Sequence, residues 1–225
     1  MNPVDVEMII AEEACRHAEA VAALNPYSEA EWIAIGNTRC IYAGASSPVF
    51  GVYAFQEENW EEREWRELER FFSLKERPAS FWVTAFTPKE SLERIEKTHR
   101  CTKVETIYGT ELSPEQTSTT PLSPIPLPDL DRWSLLFSRR ENPAATEASY
   151  LSAVKLHQKE TRFYENGGEA SYTFFSQGFA YVPYPSASLR DWQIQQAQEF
   201  RAKFFLERKS ATALPLLTRN LYEPI

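Results

Sequence analysis

Residues 179–195 read FAYVPYPSASLRDWQIQ, and the change of pattern inside this stretch decides the fold. Phe179 to Tyr184 is an apolar and aromatic run of strand type. Ser188 then opens a helix that the spacing extends to Glu207, with Leu189, Trp192, Phe200 and Phe204 as its buried side chains. Ala211 to Leu217 reads as a final strand. Working back from the same stretch, Arg162 to Glu165 and Ala170 to Phe175 flank Asn166-Gly167-Gly168, a hairpin signal. Glu147 to Gln158 is helical in pattern, with Tyr150, Leu151 and Val154 on one stripe, and Trp133 to Phe137 is a short apolar run. Strand, helix, hairpin, strand, helix, strand is an α+β (α/β-like) order.

The first half repeats this alternation as α-β-β-α-β-α-β. Val6 to Leu24 is rich in alanine and glutamate and reads as a helix. Thr38 to Ala43 and Val49 to Phe55 are strands. Asn59 to Leu74 is an amphipathic helix with Trp65, Leu68 and Phe72 on one face. Ser80 to Phe86 is a strand, Pro88 opens a helix through Lys97, and Thr102 to Tyr108 is the next strand.

Between the halves, residues 113–130 read SPEQTSTTPLSPIPLPDL, with five prolines among serines and threonines. This is linker composition, extended and resistant to helix. The expected organisation is a module over 1–112, a linker over 113–130 and a second module over 131–225. Charge divides at the same place. Residues 1–112 hold 20 acids and 12 basic residues, whereas 113–225 hold 12 of each.

The 225 residues are 43% hydrophobic and 25% charged, enough for a globular core without disulfide or metal staples. A net charge of −8 lacks the footprint of a nucleic-acid binder, and no apolar run is long enough to span a membrane. Met1 to Glu13 carries acids and no basic region of signal-peptide type. There are seven glycines against fifteen prolines, and no glycine-rich phosphate loop. Cys15, Cys40 and Cys101 are odd in number and form no C-x-x-C, which points to a reducing cytoplasm. The pairs Cys15-Arg16-His17 and His99-Arg100-Cys101 lack the four-ligand spacing of a zinc site, so no metal is expected.

One set of residues carries a family likeness. It comprises Ser47-Pro48, Gly51, the helix segment Leu68-Glu69-Arg70-Phe71-Phe72, the strand Phe81 to Phe86, Pro88, Ser91-Leu92 and the strand ending Glu111-Leu112. In the second half, the strand Phe179 to Tyr184 leads into a helix at Arg190. The chain resembles two-part bacterial proteins of the GNAT N-acetyltransferase superfamily. The resemblance implies two tandem GNAT-like modules, each a mixed central sheet flanked by helices, the second truncated.

It also implies a cofactor, acetyl-CoA. In the family a splayed strand leads into a helix whose first backbone N–H groups hold the CoA pyrophosphate. The pattern there is Q/R-x-x-G-x-G/A, and Arg190 to Gln195 is the matching stretch. Arg190 fits, Gln193 and Gln195 stand in place of both glycines, and Asp191 adds a negative charge. Tyr181 and Val182 on the strand, with Arg190, Gln193 and Gln195 on the helix, are the cofactor-binding residues the resemblance implies. No catalytic residue is assigned. Glu165, Glu169, Tyr181 and Tyr184 lie in the cofactor half, and Asn220 and Tyr222 match by type a family asparagine and general-acid tyrosine.

Three functions follow as expectations. The first is a GNAT-superfamily protein with a degenerate pyrophosphate motif, weakly active or non-catalytic. The second is an active N-acetyltransferase that moves acetyl from acetyl-CoA to an amine of a small molecule or protein. The third is an unrelated α+β interaction module. A cytoplasmic homodimer without nucleic-acid or membrane partners is the expected setting.

Overall fold

The computed structural model describes residues 2–45, 47–55, 60–113, 130–141, 154–155, 158–208 and 214–225. The expected linker and most of the expected helix Glu147 to Gln158 lie outside them. The chain divides into two compact units, Met1–Thr106 with Leu216–Ile225, and Ile107–Pro215.

The first unit begins with α1 (Pro3–Leu24), which the Asn2 side chain caps by accepting from Val4 N–H at 3.1 Å. Then come β1 (Glu31–Ile35), β2 (Thr38–Tyr42), β3 (Phe50–Tyr53), α2 (Glu62–Leu74), β4 (Phe81–Thr84), α3 (Lys89–Glu96) and β5 (His99–Glu111). The strand β10 (Leu214–Pro224) closes the unit, whose strand order is β1-β2-β3-β4-β10-β5. β3 and β4 pair parallel, whereas β1–β2, β2–β3 and β4–β10 are antiparallel. The expected stripe on α2 is present, since Trp65, Leu68 and Phe72 are buried, and Phe71 joins them against Phe50, Phe55 and Phe81. The strand β1, absent from the sequence reading, pairs with β2 through a tight turn at Gly36 and Asn37.

Gly51 explains how β3 meets β4. Its φ is +114°, and a Cβ there would stand 2.6 Å from the Ser80 carbonyl oxygen. Val52 N–H donates to that same oxygen at 2.7 Å. Only glycine permits this approach. The two strands share one register pair, Val52 with Phe81, and then part.

The second unit holds α4 (Leu130–Glu141), β6 (Thr161–Asn166), β7 (Glu169–Ser176), β8 (Phe179–Val182), α5 (Arg190–Glu199) and β9 (Phe204–Glu207). Its strand order is β5-β9-β8-β7-β6, with Tyr108–Glu111 of β5 paired to β9. The hairpin at Asn166-Gly167-Gly168 forms as expected. α4 packs on the face that carries Tyr172, where Trp133 and Phe137 stack at 4.7 Å. α5 packs on the face that carries Ala180, Val182 and Phe205.

Four readings of the sequence are corrected. Trp133 to Phe137 lies inside a helix, where the four-residue spacing of the two rings puts them on one buried face. The helix expected through Glu207 stops at Glu199. Arg201 turns left-handed at φ +56°, Ala202 N–H bonds back to the Ala197 carbonyl, and Phe204 to Glu207 pair parallel with β8 instead. The final strand is Leu214–Pro224 in place of Ala211 to Leu217. Its residues from Leu216 belong to the first unit, so the second module does not contain all of 131–225.

Candidate cofactor site

The five cofactor-binding residues that the resemblance implies lie in the second unit, around the end of β8 and the start of α5. Tyr181 and Val182 are fully buried. They point to opposite faces of the sheet, because successive strand residues alternate. Val182 joins the apolar cluster under α5. The Tyr181 hydroxyl meets Arg208 Nε at 3.0 Å.

Arg190, the first residue of α5, is committed to a carboxylate. Its Nη2 lies 2.9 Å from Glu207 Oε1 and its Nε lies 3.2 Å from both carboxylate oxygens. Glu207 is 1% exposed at the end of β9. Gln193 points inward with no exposed surface, and its Nε2 donates to Ser171 Oγ at 3.0 Å. Its Oε1 has no hydrogen-bond partner. Ser171 in turn donates to the Tyr184 carbonyl at 2.8 Å. Gln195 bonds Glu199 at 3.1 Å along the helix surface. The five residues therefore do not converge on one site.

The loop before α5 carries a further anion. Glu169, at the start of β7, accepts from the hydroxyls of both Ser186 and Ser188, the latter at 2.7 Å. A negative charge is favourable at a helix start, where the backbone N–H groups have no partners of their own. Asp191 adds a second acid in the first turn of α5. β8 and β9 pair in parallel over four residues, from Phe179 with Phe204 to Val182 with Glu207. These residues do not fit a pyrophosphate. Arg190 is held by Glu207, the loop hydroxyls are held by Glu169, and Gln193 packs beneath the helix.

The other candidates are engaged elsewhere. Glu165 pairs with Arg132 at 2.7 Å. Arg208 lies over the Tyr184 ring at 5.2 Å. Asn220 and Tyr222 sit on β10 in the first unit, opposite Val83 and Phe81, and not on a helix. The Tyr222 hydroxyl donates to Glu96 at 3.2 Å, and partial burial and that carboxylate raise its pKa. Cys15 is buried, which pushes its thiol up to about 12 and makes it inert. His17 Nε2 lies 3.4 Å from Ser47 Oγ, and the two nitrogens of His99 meet Thr98 Oγ1 and the Ala79 carbonyl. Among the described residues no group of three His, Cys, Asp or Glu side chains could hold a metal ion.

The first unit contains a charge cluster that the sequence reading missed. Arg219 of β10 is 1% exposed and stacks over Trp82 at 4.0 Å. Its Nε and Nη2 contact Glu105 at 2.8 and 2.6 Å, and its Nη1 lies 3.5 Å from Glu7 Oε2. Glu7 comes from α1 and has no exposed surface; its Oε1 accepts from Ala54 N–H at 3.3 Å, just past the point where β3 and β4 part. Burial raises the Glu7 pKa, against the pull of Arg219 and of the Ala54 N–H. Nothing in the spacing of residues 7, 105 and 219 announces this contact. The missed partners of Arg190 and Gln193 were hidden in the same way, since Glu207 was read as the end of a helix.

No protein-family model and no curated protein matches the chain. Solved structures do. A GCN5-related N-acetyltransferase from Kribbella flavida superposes with a TM-score of 0.55 at 11% identity, over 94% of this chain and 95% of that one. A GCN5-related N-acetyltransferase from Sphaerobacter thermophilus gives 0.46 at 11%, over 71% of this chain and 66% of its own. A tandem GNAT protein from the clavulanic acid biosynthesis pathway gives 0.41 at 11%, over 71% and 68%. No argument rests on the last two. The first shows the fold: the chain has the α+β GNAT fold, and each unit is a mixed sheet flanked by helices. Among the described residues no helix is long and apolar enough to cross a membrane.

Proposed function

We propose that the chain is a GNAT-fold protein that has lost the phosphate-holding device of its second unit and is weakly active or non-catalytic. One observation carries this reading. Gln193, where the family motif has a glycine, is a fully buried core residue bonded to Ser171. A residue that packs inside the domain does not free the helix start for a phosphate. Its neighbour Arg190 is neutralised by Glu207 at 2.9 Å, which supports the same conclusion. Calorimetric titration of the full chain with acetyl-CoA tests it. The expected result is no saturable heat at millimolar ligand. Tight binding that Arg190→Ala abolishes would overturn the proposal.

A second reading, an active N-acetyltransferase for a small-molecule or protein amine, is favoured by the first unit. There β3 and β4 do part after Val52 and Phe81. A pocket of about 450 Å³ lies between Trp60 and the start of α3, lined by Lys89, Ser91 and Arg94. Binding of acetyl-CoA that survives Arg190→Ala but is lost in Ser91→Trp would favour this reading over the first.

A further inference from the structure

A cleft of about 540 Å³ lies in the first unit between the second halves of α2 and α3. That volume is typical of sites for small organic molecules, roughly 300–1,000 Å³. The floor is apolar. Leu68 and Phe72 of α2, Phe81 of β4 and Ile95 of α3 are nearly buried and show the cleft only their edges. Trp65 closes one end, with the Arg94 guanidinium over its ring at 4.4 Å. Trp65 and Arg94 also line the pocket at Ser91, so this stacked pair is the partition between the two cavities.

The charges around the cleft cancel, since Glu69 and Glu76 stand against Arg77 and Arg94. Most of them are also committed. Arg94 is held by Glu62 at 3.0 Å and by Glu69 at 3.3 Å. Arg77 turns its guanidinium onto the Phe50 ring at 3.8 Å, and its Nη1 donates to the Ala45 carbonyl at 3.4 Å. Both nitrogens of His99 are engaged, by the Ala79 carbonyl and the Thr98 hydroxyl. Glu76 stands exposed at the rim, where water and salt screen it.

We propose that this cleft binds a small neutral aromatic molecule. The inference is independent of both readings of the cofactor site. A charged ligand would leave water without a committed counter-charge to meet it, which is costly. A flat neutral ring meets the edges of Trp65, Phe72 and Phe81, and edge-to-face contact is a geometry that aromatic rings favour. The His99 ring already packs edge-on to Phe81 in this way, at 5.1 Å. Ser73, exposed on α2 at the mouth, offers a hydroxyl to a polar substituent on the ring.

The neutral dye N-phenyl-1-naphthylamine, which brightens on leaving water, tests the site on the full chain. The expected result is a saturable rise in fluorescence with a single dye bound per chain. Anilinonaphthalene sulfonate has the same ring skeleton with a negative charge, and should bind about tenfold more weakly. Ser73→Trp sets a large side chain across the mouth and should weaken the neutral dye about tenfold, and because Ser73 is exposed the variant melts close to the wild type. Excess acetyl-CoA leaves the dye in place. Irradiation with benzophenone, a second neutral aromatic, maps the site without any substitution, and mass spectrometry of the digest should find the label within residues 65–81 or 94–99. Fluorescence that never saturates overturns the proposal. So does a dye that acetyl-CoA displaces, one that a folded Ser73→Trp binds as before, a sulfonate that binds equally well, or a label confined to other stretches.

Discussion

Arg190 grips Glu207 with two guanidinium nitrogens, Nη2 at 2.9 Å and Nε at 3.2 Å, and so ties the first turn of α5 to the end of β9. The carboxylate is almost fully buried, whereas the arginine side chain keeps 27% of its surface. Arg190→Ala leaves that carboxylate buried without its partner. The expected loss of stability is about 3 kcal/mol, the low end for breaking a buried pair because the arginine is part-exposed. Urea denaturation reads it, and a change of less than a few tenths would show that the pair holds nothing. Acetyl-CoA titration of the same variant stays as flat as that of the wild type.

Gln193 separates packing from phosphate binding. Gln193→Leu removes an amide oxygen that has no partner and leaves Ser171 its bond to the Tyr184 carbonyl. Stability then stays within about 1 kcal/mol of wild type. Gln193→Gly loses about 1 kcal/mol of helix propensity and about 1 kcal/mol of hydrogen bond, besides the buried side chain itself. The glycine of the family motif is therefore harmful here. Equal denaturation midpoints for the two variants would contradict this account.

Glu7 sets a pH dependence. Burial raises its pKa above the ordinary glutamate value, and the Arg219 charge opposes that rise without cancelling it. A carboxyl raised on folding contributes its full stability below its unfolded pKa. That contribution is lost as pH climbs through the folded value. Glu7→Gln cannot titrate and keeps an oxygen for Ala54 N–H. The stability gap between variant and wild type should therefore shift in favour of glutamine as pH rises from the ordinary glutamate range. Parallel stability curves across that window would rule this out.

Arg219 is the cation that two buried carboxyl groups share. Arg219→Met keeps bulk against Trp82 but leaves Glu105 and Glu7 without their cation. A loss of about 3–5 kcal/mol is expected. Limited proteolysis should then cut β10 before any other strand, and cleavage elsewhere first would argue against its role in holding that strand.

The sequence carried local order well and distant partners poorly. The α2 stripe and the Asn166-Gly167-Gly168 hairpin were legible because their periodicity and turn chemistry are local. The Gly36-Asn37 turn held an equally local signal for β1 that went unread. Phe200 and Phe204 suit a helix by spacing, yet Phe204 stacks on Phe179 at 5.4 Å in a parallel pair that spacing does not reveal. The departure of Gln193 and Gln195 from the family motif was visible. Why Gln193 is there was not, since its partner Ser171 lies 22 residues earlier on another strand.

The insertion of β10 between β4 and β5 has a consequence for synthesis. The ribosome releases α1 to β5 long before residues 216–225, so the unit translated first is the one finished last. Until then Glu7 and Glu105 wait in a half-built interior without Arg219. A chain stalled or clipped ahead of that arginine keeps every element of the first unit except the strand that closes it, and presents that open sheet to the cell's proteases.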